Sequence, residues 1–299
     1  MAAKQLASPR PKVACEIGAE RVIAARASNN ASSMEMYSSR RLPSGTLSPG
    51  LASPNVLQAE SLRQAISGVM GTVAAKSKDV IVVIPDASAR VLLLDFESLP
   101  DKAEEASAII RFRVKKSLPF DVDHAALSYH VSPGNGMLKV AAALSPLGVV
   151  QEYEAAFRDC GYAPGVVIPS TLATLGLVDA DRPTMVVKVD TNTVSVAIVD
   201  RTDLILLRTL DRTGRSEITA KELANQIHPS MVFYEDTYSA RVEQILVTGL
   251  ANIEHLDNAL QAEVGVNVSN LDSANAGGES LGEPLPKAML TSVGGALLS

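Results

Sequence analysis

Apolar and polar residues alternate along the chain in patterns that predict strands and helices. The central stretch runs from Val91 to Val131, VLLLDFESLPDKAEEASAIIRFRVKKSLPFDVDHAALSYHV. Its first six residues are a β-type run, and the apolar residues that follow have the i, i+3, i+4 spacing of a helix. Ser98 is placed to cap this helix and Leu118-Pro119 to end it. The pattern predicts a strand, a helix and a second strand.

The first eighty-five residues predict half of an α/β lobe. Residues 12–28 have the pattern of a strand, a tight turn and a strand, and Met34 to Arg41 suits a third strand. A helix is then predicted from an apolar stripe, with Asn55 as its cap. The members of that stripe are Leu62, Ile66, Val69 and Val73. KDVIVVIPD follows as a buried strand.

The middle of the chain predicts a small α+β insert over residues 86–160. Gly134-Asn135-Gly136 is a hairpin signal that turns SYHVS back into MLKVAAAL. Ser145-Pro146 begins another helix, which ends before Gly161. Residues 161–182, a strand and a helix, return the chain to the first lobe.

The second half repeats the pattern of the first. TMVVKVDTNTVSVAIVDRTDLILLRTLD again pairs strands around a turn, and residues 217–240 are helical around Pro229. Such an internal duplication predicts two lobes of similar topology that enclose a cleft. A doubly wound nucleotide-binding sheet is disfavoured, because neither half opens with a G-x-G-x-x-G turn.

Composition narrows the functional classes. The chain has 299 residues, 46% of them hydrophobic and none of them Trp, so an aliphatic core of roughly two domains is expected. The net charge of −6 argues against nucleic acid as a partner. Cys15 and Cys160 form neither a disulfide framework nor a metal pattern, and no metal site is predicted. No stretch reaches the ~20 apolar residues of a membrane span. We therefore expect a cytoplasmic protein that reaches the membrane only through partners.

The stretch IIRFRVKKSLPFDVDHAALSYHV resembles the PilM family, the cytoplasmic actin-like proteins of the type IV pilus inner-membrane platform. This resemblance identifies the chain as a divergent member and continues, more weakly, over most of its length. It implies a two-lobed actin-like (ribonuclease H-like) α/β fold. It also implies an α+β insert of the FtsA and PilM type and a shortened helical subdomain in the second lobe.

The expected organisation follows from this resemblance. Residues 1–11 are an N-terminal tail, and residues 12–85 with 161–182 form the first lobe. Residues 86–160 are the insert, and residues 183–299 form the second lobe, with a C-terminal segment that can pack back on the first.

The resemblance also implies where a nucleotide would lie. Actin-like proteins hold Mg²⁺ and phosphate with acidic, Gly-containing hairpin turns. The residues that match these turns are Glu16, Gly18, Ala19, Asp190, Thr191 and Gly249. Each turn departs from the family pattern. In the first, Ala19 stands at a hydroxyl position, and in the third, Leu250 and Ala251 follow Gly249 where glycines are usual. In the second, Lys188 stands where an acid is expected and Asp190 where a glycine is expected, or, in an alignment shifted by two residues, Asp190 is the acid and Asn192 replaces the glycine. ATP with Mg²⁺ is therefore left open as a cofactor, hydrolysis is not expected, and no catalytic residue is assigned.

A partner peptide is the second implication. PilM-like proteins bind the short cytoplasmic tail of PilN in a groove between the first lobe and the insert. The candidate contact residues in this chain are Arg111, Lys115, Leu118, Pro119, Phe120 and Val83. The leading hypothesis is a scaffold that binds a PilN-like N-terminal peptide and links it, with other platform proteins, to the cytoplasmic motor. A homo-oligomer is compatible with this hypothesis.

Three other functions stay open at this level. The chain could be an active Mg-ATPase of the actin-like fold, a platform protein of a type II secretion system, or a sugar or acid kinase. Against the kinase hypothesis, the chain lacks the acids of the phosphate loops and a candidate catalytic base in a matching motif.

Overall fold

The computed structural model describes residues 10–74, 76–134, 136–212, 218–249, 254–271 and 277–299. Most of the predicted N-terminal tail, the centre of the Gly134-Asn135-Gly136 turn and the residues that follow Gly249 lie outside these ranges.

Fourteen strands and seven α-helices follow one another in the described residues. In chain order they are β1 (Val13–Ile17), β2 (Arg21–Ala27), β3 (Met34–Arg41), α1 (Ala59–Val73), β4 (Asp79–Ile84), β5 (Arg90–Phe96), α2 (Ala103–Val114), β6 (Ala125–Pro133), β7 (Leu138–Pro146), α3 (Leu147–Arg158), β8 (Ala163–Pro169), α4 (Ser170–Thr174), β9 (Thr184–Val189), β10 (Thr193–Asp200), β11 (Asp203–Asp211), α5 (Ala220–Tyr238), β12 (Gln244–Thr248), α6 (Glu254–Val264), β13 (Asn267–Asn270), β14 (Glu279–Ser280) and α7 (Thr291–Leu298).

The first lobe is a six-stranded sheet covered by helices on both faces. Its strand order is β14-β3-β2-β1-β4-β8, with β1, β4 and β8 parallel and β1, β2 and β3 antiparallel. Successive residues of β1 alternate between the two faces: Val13 and Cys15 pack towards α1 and α3, and Ala14 packs towards α7. A central strand buried on both faces reads as a continuous apolar run, as β4 does.

Helix α3 belongs to the first lobe, although the sequence placed it in the insert. Tyr153 and Phe157 are fully buried in the core that α1 forms with the first-lobe sheet. The Tyr153 hydroxyl lies 3.1 Å from Ser88 Oγ. The structure therefore narrows the insert to residues 90–146, because the apolar face of α3 packs on the first lobe.

Asn55 does not cap α1, which begins at Ala59 after a Gln58 that makes no side-chain cap. The Asn55 side chain is instead buried and donates to the carbonyls of Gly50 and Ala52 at 3.1 and 2.8 Å. Its Oδ1 accepts a 2.9 Å hydrogen bond from the Gly50 amide. The Asn55 side-chain amide therefore makes hydrogen bonds within its own loop instead of capping the helix.

The insert is an antiparallel sheet of three strands, ordered β5-β7-β6, with α2 packed on it. Its core contains Ile110, Val114 and Leu144. Helix α2 begins at Ala103, and its N-cap, Lys102, lies four residues after the cap predicted at Ser98. Leu99 packs against the insert core, and residues 99–102, which precede the helix, are not helical.

The second lobe has a five-stranded sheet in the order β11-β10-β9-β12-β13. Its β9–β10 hairpin repeats the β1–β2 hairpin, as the sequence predicted. Helix α5 carries a capping box formed by Thr219 and Glu222, and Pro229 lies inside it. Only eight residues separate Asp211 from the start of α5, which agrees with a shortened helical subdomain.

The C-terminal segment crosses back to the first lobe. Strand β14 pairs with β3, and α7 packs on the first-lobe sheet through Val293, Ala296 and Leu297. Among the helices of the described residues, none combines the length and the apolarity needed to span a bilayer.

Candidate functional site at the lobe junction

The two repeated hairpin turns face each other across the junction of the lobes. After β1, the Gly18 amide donates to the Arg21 carbonyl at 2.8 Å. After β9, the Asp190 amide donates to the Thr193 carbonyl at 2.9 Å, with the same spacing along the chain. The turns are therefore equivalent, and their equivalence places Lys188 of the second lobe in the position that Glu16 has in the first.

Lys188 is the centre of this junction. Its side chain is 3% exposed, and Nζ donates to the two carboxylate oxygens of Asp190 at 2.6 and 2.8 Å. Nζ also lies 3.6 Å from Glu16 Oε1, too far for a hydrogen bond but close enough for a strong Coulomb interaction in a buried site. One ammonium is thus shared between carboxylates from both lobes.

The pKa shifts follow from burial and from this charge arrangement. Burial raises the pKa of Glu16, and the Lys188 ammonium offsets only part of that effect. Burial alone would lower the pKa of Lys188, but the carboxylates of Asp190 and Glu16 outweigh it and raise the pKa above that of a free lysine. Lys188 is therefore a permanent cation at neutral pH.

Asp86 forms a second buried carboxylate at the same junction. It accepts hydrogen bonds from the Thr171 amide at 2.9 Å and from the Thr171 hydroxyl at 2.5 Å. Hydroxyls of Ser170 and of Ser195 donate to it at 3.1 and 2.9 Å, and Ser195 belongs to the second lobe. Four donors satisfy the charge of this carboxylate, and one of them ties the lobes together.

The sequence interpretation did not single out Asp86. Its only local signal is its place directly after the buried strand β4, where the carboxyl ends of parallel strands collect functional groups.

Five of the six predicted nucleotide residues meet beside Lys188. A small cleft is lined by Glu16, Gly18, Ala19, Asp190 and Thr191, together with residues from the loops around them. Its volume of about 30 Å³ has room for a water-sized group, whereas small-molecule pockets measure roughly 300 Å³ or more.

Gly249, the sixth predicted residue, has a structural role at the end of β12. Its φ is +95°, and a Cβ there would lie 2.2 Å from the Val189 carbonyl oxygen. Only glycine allows this close approach of β12 to β9.

The residues of this junction do not fit a Mg²⁺–phosphate group. Magnesium requires carboxylate or water oxygens around it, and the Lys188 ammonium occupies the space between the two facing carboxylates. A divalent cation there would be repelled by Lys188.

The predicted peptide residues of the insert are used largely for internal contacts. Arg111 donates to the carbonyls of Val122 and Ala125, which holds the chain after α2 against the helix. Lys115 pairs with Asp123 at 2.8 Å, and both are exposed. Leu118 and Phe120 pack partly into the insert core, and Pro119 between them is exposed.

Val83, the last of the predicted peptide contacts, does not lie at a surface, so this prediction is wrong. It lies in β4, the strand between β1 and β8, and is fully buried under α7. With both faces of β4 covered, the Val83 side chain has no surface on which to meet a peptide.

A larger groove lies where the first lobe, the insert and the second lobe meet. Its volume is about 250 Å³. The lining residues are Asp86, Ala89, Arg90, Val91, Leu92, Pro169, Leu172, Leu207, Arg208, Thr209 and Leu210. The sequence interpretation missed these positions, because only the packing of three separate chain segments brings them together.

Solved structures of other proteins share this architecture at low sequence identity. No protein-family model matches the chain, and no curated protein matches it. A solved PilM–PilN type IV pilus biogenesis complex contains a similar chain, with a TM-score of 0.80, 16% identity, and coverage of 97% of this chain and 99% of that one.

Two further solved structures are similar at lower scores. The cytoplasmic domain of EpsL, an inner membrane component of the type II secretion system of Vibrio cholerae, has a TM-score of 0.55 and 11% identity over 96% of this chain and 94% of that one. The ethanolamine utilization protein EutJ of Carboxydothermus hydrogenoformans has a TM-score of 0.52 and 9% identity over 97% of this chain and 90% of that one. The predicted actin-like fold is confirmed.

Proposed function

We propose that this protein is a scaffold of a type IV pilus inner-membrane platform that binds the short cytoplasmic tail of a PilN-like membrane protein. In this role it links the tail to the cytoplasmic motor and meets the membrane only through its partners, on the cytoplasmic side. The observation that carries the proposal is the groove of about 250 Å³ at the meeting of the first lobe, the insert and the second lobe.

The backbone around the groove suits an extended peptide. Strand β5 is at one edge of the insert sheet, and β11 is at one edge of the second-lobe sheet. Both contribute residues to the groove and contact each other there. Edge strands offer backbone N–H and C=O groups with which a peptide can pair.

The side chains around the groove suit a mostly aliphatic peptide with a polar element. Leu92, Leu172 and Leu207 supply apolar walls from the insert, the first lobe and the second lobe in turn. Arg90 and Arg208 add guanidinium groups, which bind carboxylates and peptide carbonyls. A peptide that contacts the first lobe, the insert and the second lobe would have an affinity that depends on how these three parts are arranged.

A role without ATP hydrolysis is part of the proposal. Lys188 stands between the carboxylates that would have to hold Mg²⁺, and the adjoining cleft is only about 30 Å³. Both features support a protein that works by binding.

A platform protein of a type II secretion system is the second candidate. The similarity in fold to the cytoplasmic domain of EpsL favours it, although the TM-score of 0.55 is well below the 0.80 of the PilM–PilN complex. Binding to tails from both kinds of system would decide between the candidates.

The test is the binding of a fluorescently labelled PilN-like tail peptide, followed by anisotropy. The wild type should saturate, and Leu172→Glu should weaken the Kd at least tenfold, about 1.4 kcal/mol, because a carboxylate is then buried in the apolar wall. Val232→Glu on the exposed face of α5 is the matched control and should leave the Kd within about twofold.

Absence of saturable binding by the wild type would remove the proposal. Equal losses in both variants would remove the groove as the binding site. Mg-ATP at ~100 times a plausible Kd would raise stability by roughly 2.7 kcal/mol, so a clear rise in the melting temperature would favour the ATPase instead.

A further inference from the structure

We propose that Lys188 is a built-in counterion that keeps the two lobes closed, so that closure of this molecule requires neither a divalent cation nor a nucleotide. The inference is independent of the peptide groove and of its partner.

The first step is the position of the charges. Glu16 lies in β1 of the first lobe. Lys188 lies in the equivalent strand β9 of the second lobe, and Asp190 follows that strand directly. The side chains of Glu16 and Lys188 are 11% and 3% exposed, so water screens their interaction only weakly. The hairpins that carry them are each fixed by a backbone hydrogen bond across the turn.

The second step is the effect of removing the ammonium. Glu16 and Asp190 would then face each other across the lobe junction, and Asp86 would add a third nearby carboxylate. Like charges in a buried site repel each other strongly, and the energy falls when the charges separate into water. Rotation of the lobes away from each other is the motion that would separate them.

The third step concerns the other polar contacts that join the lobes here in the described residues, which are single hydrogen bonds. The Ser195 hydroxyl donates to Asp86 at 2.9 Å, and the Gly249 amide donates at 3.1 Å to Ala288 of the C-terminal segment. The Thr248 hydroxyl also donates to the Ala288 carbonyl and lies within hydrogen-bond distance of the Thr291 hydroxyl, both at 2.8 Å. Each is a single hydrogen bond with a modest net contribution, and only the one from Ser195 has a charged partner. We expect these hydrogen bonds to be too weak to offset the repulsion between the buried Glu16 carboxylate and Asp190, which is 37% exposed.

The test begins with Lys188→Met, measured at pH 8 by small-angle X-ray scattering and by hydrogen exchange. We expect a larger radius of gyration and at least tenfold faster exchange at the Gly249 amide. A second variant, Lys188→Met with Glu16→Gln, removes the repulsion and should return both values to within about twofold of the wild type. Adding Mg²⁺ in millimolar amounts should close the single variant and leave the double variant unchanged.

Three outcomes would overturn the proposal. The first is a Lys188→Met protein as closed as the wild type. The second is an open single variant that neither Glu16→Gln nor Mg²⁺ closes, because the effect would then come from lost packing. The third applies if Lys188→Met does not fold: a double variant that also fails to fold counts against the counterion role, and a folded, closed double variant supports it.

Discussion

At the scale of single residues, the buried charges described at the lobe junction are met by opposite charges or hydrogen-bond donors. Lys188 has Asp190 and Glu16, and Asp86 has four donors. Buried ion pairs contribute little net stability compared with a well-packed apolar substitute, but the removal of one partner is costly. The stability of this junction should therefore respond strongly to single changes and to pH.

The loss of Lys188 should lower the free energy of unfolding by about 2–3 kcal/mol at neutral pH, because it leaves the buried Glu16 carboxylate without a counterion, whereas Asp190 is 37% exposed and screened by water. The folded-state pKa of Lys188 is raised above its ordinary 10.5, so its contribution is fully present below that pH and is lost as the pH rises through the raised value. The difference between wild type and Lys188→Met should therefore be constant from pH 7 to about 10 and shrink above it.

Urea unfolding of both proteins across this range measures the effect. The raised pKa of Glu16 should add a second change in this stability difference at acidic pH. Protonation of Glu16 relieves the repulsion in the variant, so the difference should also shrink as the pH falls towards 4.5. A difference that is flat across the whole range would contradict this electrostatic account.

At the scale of elements, short helices of low intrinsic propensity are held by close packing. Helix α7 has the sequence TSVGGALL and is buried along most of its length. Gly295 lets its backbone approach α4: a Cβ there would lie 2.0 Å from the Ala173 carbonyl oxygen. The position of α7, and with it the return of the C-terminal segment to the first lobe, depends on the missing side chain.

Gly295→Ala should lower the free energy of unfolding by about 1–3 kcal/mol, because backbone must move to relieve the overlap. Gly71→Ala is the matched control: it lies in helix α1 with no atom within 4 Å of the new Cβ, and it should raise stability by about 0.5–1 kcal/mol. Chemical denaturation of the two variants checks both signs. A neutral Gly295→Ala would show that α7 is loosely docked.

At the scale of the whole molecule, the insert is attached to the first lobe through two neighbouring strands. Arg90 at the start of β5 pairs with Leu144 near the end of β7, so the chain enters and leaves the insert at almost the same point. The insert has its own apolar core around Ile110 and Leu144. Its contact with the second lobe includes the half-exposed ion pair of Lys139 with Asp203, which contributes little.

Replacing residues 91–143 by a short Gly-Ser linker should therefore leave the two lobes folded. We expect a cooperative thermal transition and a native-like circular dichroism spectrum for the remaining chain, because α3 stays packed on the first lobe. The same variant should lose saturable binding of the tail peptide, since β5 forms one wall of the groove. Full peptide affinity without the insert would contradict the proposed binding mode.

The sequence by itself determined the order of the elements and the duplication of the hairpins, because period-2 and period-3.6 patterns and Gly-containing turns act over short distances. The predicted strands over residues 12–28 and 34–41 and the hairpin in the insert follow from such local patterns. The resemblance to the PilM family supplied the two-lobed fold, and the similarity in structure confirmed it. Matching the turns to the family pattern placed Lys188 where an acid is expected, but it did not predict that Lys188 pairs with Glu16.

Tertiary structure alone decided which lobe α3 joins, what Val83 and Asn55 do, and where a groove opens. Each of these depends on surfaces that are far apart in the chain: Tyr153 contacts Ser88, and Leu92, Leu172 and Leu207 line one groove. Local periodicity indicates which residues are buried, but it does not indicate which residues they pack against. The ammonium of Lys188 becomes a counterion between lobes only because folding brings two copies of one hairpin face to face.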